Sequence, residues 1–203
     1  MKTIRTFIFC VFFIPILGIA QPIENLEFIS PFKDGVAAVK SNDTWGFINE
    51  KGQLIIDFRR DLVATTFEDG QYPAFMNERC LIEMNKEGIS YYGYINKSGE
   101  VIVEPQYLNA TNYDNGLAIV LELIKVKVGE NTALGKTIAY DKYLEAIINV
   151  DGNIVQYVSP KRVNVILDKD YLKGPPKIKS KRISDYLYAY LNEDRTWTVV
   201  AIQ

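Results

Sequence analysis

Trp45-Gly46-Phe47-Ile48-Asn49-Glu50-Lys51-Gly52-Gln53-Leu54-Ile55 recurs as Tyr92-Gly93-Tyr94-Ile95-Asn96-Lys97-Ser98-Gly99-Glu100-Val101-Ile102. A looser third copy is Glu145-Ala146-Ile147-Ile148-Asn149-Val150-Asp151-Gly152-Asn153-Ile154-Val155. Trp45, Phe47 and Asn49 alternate with Gly46 and Ile48, so a strand puts both aromatics on one face. Asn suits the first position of a type I turn, and Gly three residues on supplies the left-handed conformation that closes it with a bulge. The stretch therefore specifies strand, tight turn, strand, centred on Asn49 and Gly52, Asn96 and Gly99, and Asn149 and Gly152. A stretch repeated in this way fixes architecture before function.

Working outward, each copy follows a shorter opening. Phe32-Lys33-Asp34-Gly35-Val36-Ala37 recurs as Tyr113-Asp114-Asn115-Gly116-Leu117-Ala118, and Phe67-Glu68-Asp69-Gly70 reads as the same opening between them. The unit is then an aromatic-x-Asp/Asn-Gly turn, apolar strand, loop, aromatic-Gly strand, Asn-x-x-Gly turn and apolar strand. Residues 71–79 read as an insertion that lengthens the second period. The expected fold is all-β: an antiparallel hairpin and meander array with units at 28–66, 67–112 and 113–158, followed by a basic linker and a partial capping unit over 159–203. Residues 136–148 fit helical spacing as well as the second arm of a long hairpin, and the hairpin arm is the expectation.

Trp45 to Gly52, preceded by Phe32 to Ala37, resembles the WG-repeat family of bacterial proteins. So does the connection Val103-Glu104-Pro105-Gln106-Tyr107 onward to Leu117-Ala118. The likeness spans roughly residues 28–158. Trp45-Gly46 is literally Trp-Gly, Tyr92-Gly93 is a conservative version, and Glu145-Ala146 departs from it. The resemblance implies an array of short antiparallel strands, and no catalytic residue set carries over with it.

Lys2 and Arg5, the apolar run Phe7 to Leu17, and Gly18-Ile19-Ala20 read as a secretory signal peptide over 1–20, cleaved before Gln21. Cleavage leaves 21 basic residues against 25 acidic ones, a net charge of −4, and Cys80 alone. With no partner in its own chain, Cys80 is expected to be a buried, inert thiol. The expected location is periplasmic, extracellular or at the cell surface, with no membrane span once the leader is gone.

Composition limits the chemistry. There is no His, which removes the usual general base and most zinc sites. No phosphate-cradling glycine loop opens a helix. No cofactor, metal or nucleic-acid partner is expected, and no enzymatic activity. The leading reading is an exported, non-catalytic binding or scaffold module of the cell envelope, with a protein or glycan ligand. The alternative is an envelope glycan hydrolase working through two carboxylates; Asp57 and Glu104, or Asp43 and Glu87, occupy equivalent places in two units. Tyr186, Tyr188 and Tyr190 alternate along one strand as either core or an aromatic surface. The one charge asymmetry is 161–182, with eight basic and two acidic residues. Pro175-Pro176 holds Lys173, Lys177, Lys179, Lys181 and Arg182 in a loop, where they could contact an anionic partner.

Overall fold

The computed structural model describes residues 23–131, 136–159 and 161–202. Among these there is no helix. The first unit is an antiparallel sheet of β1 (Phe28–Ile29), β2 (Val36–Ser41), β3 (Thr44–Asn49) and β4 (Leu54–Arg59), in that order. A hairpin of β5 (Thr65–Phe67) and β6 (Gly70–Tyr72) leads to the second meander, β7 (Cys80–Lys86), β8 (Ile89–Ile95) and β9 (Val101–Tyr107). The third is β10 (Leu117–Asn131), β11 (Lys136–Asn149) and β12 (Ile154–Tyr157), with β13 (Val163–Asn164) on the far part of β11. The fourth is β14 (Ser180–Arg182), β15 (Leu187–Leu191) and β16 (Trp197–Ala201). The fold is the all-β repeat array that the sequence predicts, and residues 136–149 form the long hairpin arm. The expected leader lies outside the described residues.

The Asn-x-x-Gly turns are built alike. Asn49 donates its N–H to the Gln53 carbonyl, and Gly52 donates back to Asn49. The Asn49 side-chain oxygen accepts the N–H groups of Lys51 and Gln53, both at 3.0 Å. Asn96 and Asn149 repeat this pattern. The closing glycines have φ of +72°, +80° and +81° at Gly52, Gly99 and Gly152, a region that costs side-chain-bearing residues about 1–2 kcal/mol.

A fourth turn of this kind closes the β15–β16 hairpin. Asn192 donates to the Thr196 carbonyl and Arg195 donates back to Asn192, with Arg195 at φ +66° in the glycine's place. The expected partial last unit thus carries a closing turn of its own, with Arg where the others have Gly. Tyr188-Ala189-Tyr190-Leu191-Asn192 is the counterpart of Trp45 to Asn49, and Trp197 lies on the outgoing strand opposite Leu191. The fourth unit also recruits Ser180, Lys181 and Arg182 into β14, so the basic loop is shorter than the prolines suggest.

The glycine after the aromatic has a separate cause. Across Gly46 and Gly93 the outgoing strand bulges: Trp45 faces Arg59 while Phe47 faces Ile56, and Tyr92 faces Tyr107 while Tyr94 faces Val103. The extra residues bring backbone over the glycine. A Cβ on Gly46 would lie 2.9 Å from the Ile56 carbonyl oxygen, and one on Gly93 would lie 2.3 Å from that of Val103. In the fourth unit the ladder is regular and Ala189 simply faces Val199; in the third, Ala146 faces Tyr157 and the shift falls one step later. Ala is tolerated where no backbone crosses.

The openings are two-residue turns with positive φ at both centres: Asp34-Gly35, Asn77-Glu78 and Asn115-Gly116. Phe67-Glu68-Asp69-Gly70 is not one of them, because it closes the inserted β5–β6 hairpin. The second opening is Phe75-Met76-Asn77-Glu78, which carries no glycine.

Both faces of the middle sheets are buried, so the sheets stack. Val36, Ala38, Phe47 and Ile56 of the first unit pack with Cys80, Ile82 and Ile95 of the second. The other face of the second, Leu81, Tyr92, Tyr94, Val103 and Tyr107, packs with Ala118, Val120, Ala146 and Ile148 of the third. The first two units thus present an aromatic face onward, and the second and third an aliphatic face backward. The fourth sheet is turned over: Tyr188 and Tyr190, the counterparts of Trp45 and Phe47, pack back onto Ile119 and Ile147. Two onward faces meet at this junction.

Candidate functional site: inter-unit junctions and the end face

The stacking is fastened by repeated polar ties. The Asp34 carboxylate accepts the N–H of Glu78 at 2.9 Å, and the Asn77 side-chain oxygen accepts the N–H of Gly116 at 3.0 Å. Arg59 and Tyr107 face Trp45 and Tyr92 across their ladders, so they occupy equivalent positions. Arg59 donates to the Gly99 carbonyl at 3.2 Å, and the Tyr107 hydroxyl donates to that of Gly152 at 3.4 Å. The ring pairs Phe47–Phe75 and Tyr94–Tyr113 repeat as well, each with centroids 4.7 Å apart. The motif residues Trp45, Gly46, Asn49, Gly52, Tyr92, Gly93, Asn96, Gly99, Asn149 and Gly152 are therefore structural in their observed contacts.

Burial sets the titration of the aromatic core. Burial, with the nearby Glu83 carboxylate, pushes the Tyr92 phenol up to about 12. Burial also raises Tyr94 well above the ordinary value, reinforced by Tyr113 and Tyr107. Cys80 is buried, and desolvation holds its thiol well above the usual range, so it is inert as expected.

The five basic residues do not act as a cluster. Arg182, with 12% of its side chain exposed, pairs with Asp114 at 2.8 Å and with Asp185, tying β14 to the third opening. Asn115 donates to the same Asp185 carboxylate at 2.8 Å. Lys181 lies 4.5 Å over the Trp197 ring. Lys173 faces Asp170 at 3.9 Å, while Lys177 and Lys179 are exposed. Arg182 and Lys181 thus have intramolecular work, and Lys173, Lys177 and Lys179 project outward. Asp43, Asp57, Glu87 and Glu104 are all exposed.

Among the described residues, the stacking leaves open the outer face of the fourth sheet. Leu187, Trp197 and Val199 point from it with 36%, 48% and 57% of their surface exposed. Because this sheet is turned over, its outer face is of the backward, aliphatic kind, which in the second and third units sits on a neighbour's aromatic face. Tyr186 precedes β15 and is exposed, whereas Tyr188 and Tyr190 are core. Sequence alternation grouped the three; the strand begins one residue after Tyr186.

No curated protein matches this chain. Among solved structures it is similar to the computationally designed Ika4 protein, at 12% identity, covering 90% of this chain and 93% of that one with a TM-score of 0.35, a likeness too loose to bear on the argument. The profile of the family described as WG containing repeat matches at residues 25–45, 45–77 and 92–122. These stretches run through the Trp45-Gly46 and Tyr92-Gly93 strands, their Asn-x-x-Gly turns and the openings that follow, so the chain carries WG containing repeats at residues 25–45, 45–77 and 92–122.

Proposed function

We propose that this protein is an exported, non-catalytic scaffold of the cell envelope that docks a protein partner through the outer face of its fourth unit. The observation that carries this is the exposed Leu187, Trp197 and Val199 on a sheet whose two counterparts each cover an aromatic face. Contiguous exposed apolar surface marks interaction sites, and Trp at the centre of such a patch is the usual anchor. By analogy with the internal junctions, the complementary partner presents an aromatic-rich apolar sheet face. Lys2, Arg5 and the apolar run after them support export. Lys173, Lys177 and Lys179 add an outward positive fringe suited to an anionic envelope surface.

The test places a photo-crosslinking residue at Val199 and, as a control, at Glu50 in the first turn, in cells exporting the protein. A discrete adduct from position 199, lost in Leu187→Ser/Trp197→Ser, supports the docking face. Adducts no stronger than those from position 50 overturn it. An adduct at the mass of a dimer identifies a second copy as the partner.

A further inference from the structure

A second site lies away from the end face, at the junction of units two and three. Gln106, Tyr107, Glu122, Leu123, Gly152 and Asn153 line a cleft of about 350 Å³. That volume is within the range of small-molecule sites, roughly 300–1,000 Å³. The cleft is a departure from the repeat. At the preceding junction the counterpart of Tyr107 is Arg59, whose guanidinium bridges Asp61 and the Gly99 carbonyl. The counterpart of Glu122, six residues beyond the opening turn, is Met84. Here the shorter reach of tyrosine and the exchange of Met for Glu make a polar space.

Glu122 is the unusual member. Its Oε2 is shielded from solvent and has no hydrogen-bond partner among the described residues. An unpaired buried carboxylate oxygen is destabilising unless a donor reaches it. The Tyr157 phenol lies near enough to this carboxylate to be raised by it. Tyr157 is itself half-exposed, and the last torsion of Glu is soft, so a small turn of the carboxylate presents Oε2 to the cleft.

We infer that this cleft binds a short neutral saccharide. The lining combines an acceptor-only carboxylate, two side-chain amides that donate and accept, and a phenol. Sugar hydroxyls also do both, and they match this inventory where an ammonium ion, which only donates, leaves the amide donors unused. Ile154, exposed at the rim of the cleft, supplies an apolar surface against which a sugar's C–H face packs. Vicinal hydroxyls donating to Glu122 fill the requirement that the folded chain leaves open.

The test titrates the full mature chain, ¹⁵N-labelled, with glucose, galactose, N-acetylglucosamine, cellobiose, lactose and chitobiose, and in parallel with choline. Saturable shifts of the Gly152, Asn153 and Glu122 amides with at least one sugar are expected. Glu122→Gln, isosteric and checked for folding in the same spectrum, weakens that binding at least about tenfold. No sugar-dependent shift at these amides overturns the assignment, as do shifts indifferent to Glu122→Gln or saturation by choline alone. A sugar that binds in the cleft and is cleaved retains the site and overturns the non-catalytic reading. None of these results alters the crosslink expected at Val199, so the two sites stand or fall separately.

Discussion

Arg195 holds, at φ +66°, the turn position that Gly152 holds at +81°. The two turns share their backbone hydrogen bonds, so the same strained conformation is carried by a favourable residue in one and an unfavourable one in the other. Arg195→Gly should therefore stabilise, by roughly 0.5 kcal/mol after the extra chain entropy of glycine is deducted. Gly152→Ala should destabilise by more than about 1 kcal/mol, since its Cβ would also meet Val103 at 2.8 Å. Gly99→Ala should cost about 1 kcal/mol, because a Cβ there would meet only the Arg59 guanidinium, at an ordinary 3.8 Å. Denaturant melts of the three variants check the signs and their order.

The glycines under the bulges make a sharper pair. Gly93→Ala pushes a Cβ into backbone of β9 and should cost more than Gly46→Ala, at about 3 kcal/mol against about 2. Ala189→Gly, on a regular ladder, should cost about 1 kcal/mol or less. Equal effects at Gly46, Gly93 and Ala189 in thermal melts would contradict the bulge explanation.

These glycines mark how far the sequence reads. The Asn49, Asn96 and Asn149 turns are legible because Asn and Gly report φ directly. The fourth turn is hidden by Arg195, and Trp197 draws the eye to the wrong register. Phe67-Glu68-Asp69-Gly70 mimics an opening turn in letters, while the true one at Asn77-Glu78 lacks the glycine. The inversion of the fourth sheet leaves no mark in its own pattern, since Tyr188 and Tyr190 alternate the same way whichever side they face. The cleft is equally silent, because Gln106 and Glu122 meet only through stacking.

Alkaline pH should loosen the stack. Tyr92 keeps its proton to about 12 when folded and releases it near the ordinary 10.0 when unfolded. Between those values the unfolded chain binds fewer protons, so stability is intact below pH 10.0 and falls as pH rises toward 12. Tyr94, also raised, acts in the same direction. Urea midpoints at about pH 9 and about pH 11 check this, with the lower midpoint expected at the higher pH. A Tyr92→Phe variant should show a shallower fall.

Arg182 and its lysine neighbours should separate cleanly. Arg182→Met removes the ties to Asp114 and Asp185 and should cost about 1 kcal/mol, the upper end for a pair that is largely exposed on the carboxylate side. Lys173, Lys177 and Lys179 changed together to Ser should leave stability unchanged but weaken co-sedimentation with anionic vesicles at low salt. At physiological ionic strength, where screening acts within about 8 Å, the difference should shrink. Equal sedimentation by both proteins at both salts would remove the lysines from any docking role.

The fourth sheet lies face-down on the third, and that inversion leaves Leu187, Trp197 and Val199 outward. Nuclear Overhauser contacts between the Tyr188 and Tyr190 rings and the methyl groups of Ile119 and Ile147 measure this directly. The expected result is strong contacts from both rings to both isoleucines, with none from Leu191 or Val199 methyls. Contacts from Leu191 or Val199 to Ile147, with Tyr190 open to solvent, would mean the sheet is not turned over and the end face is not the one described.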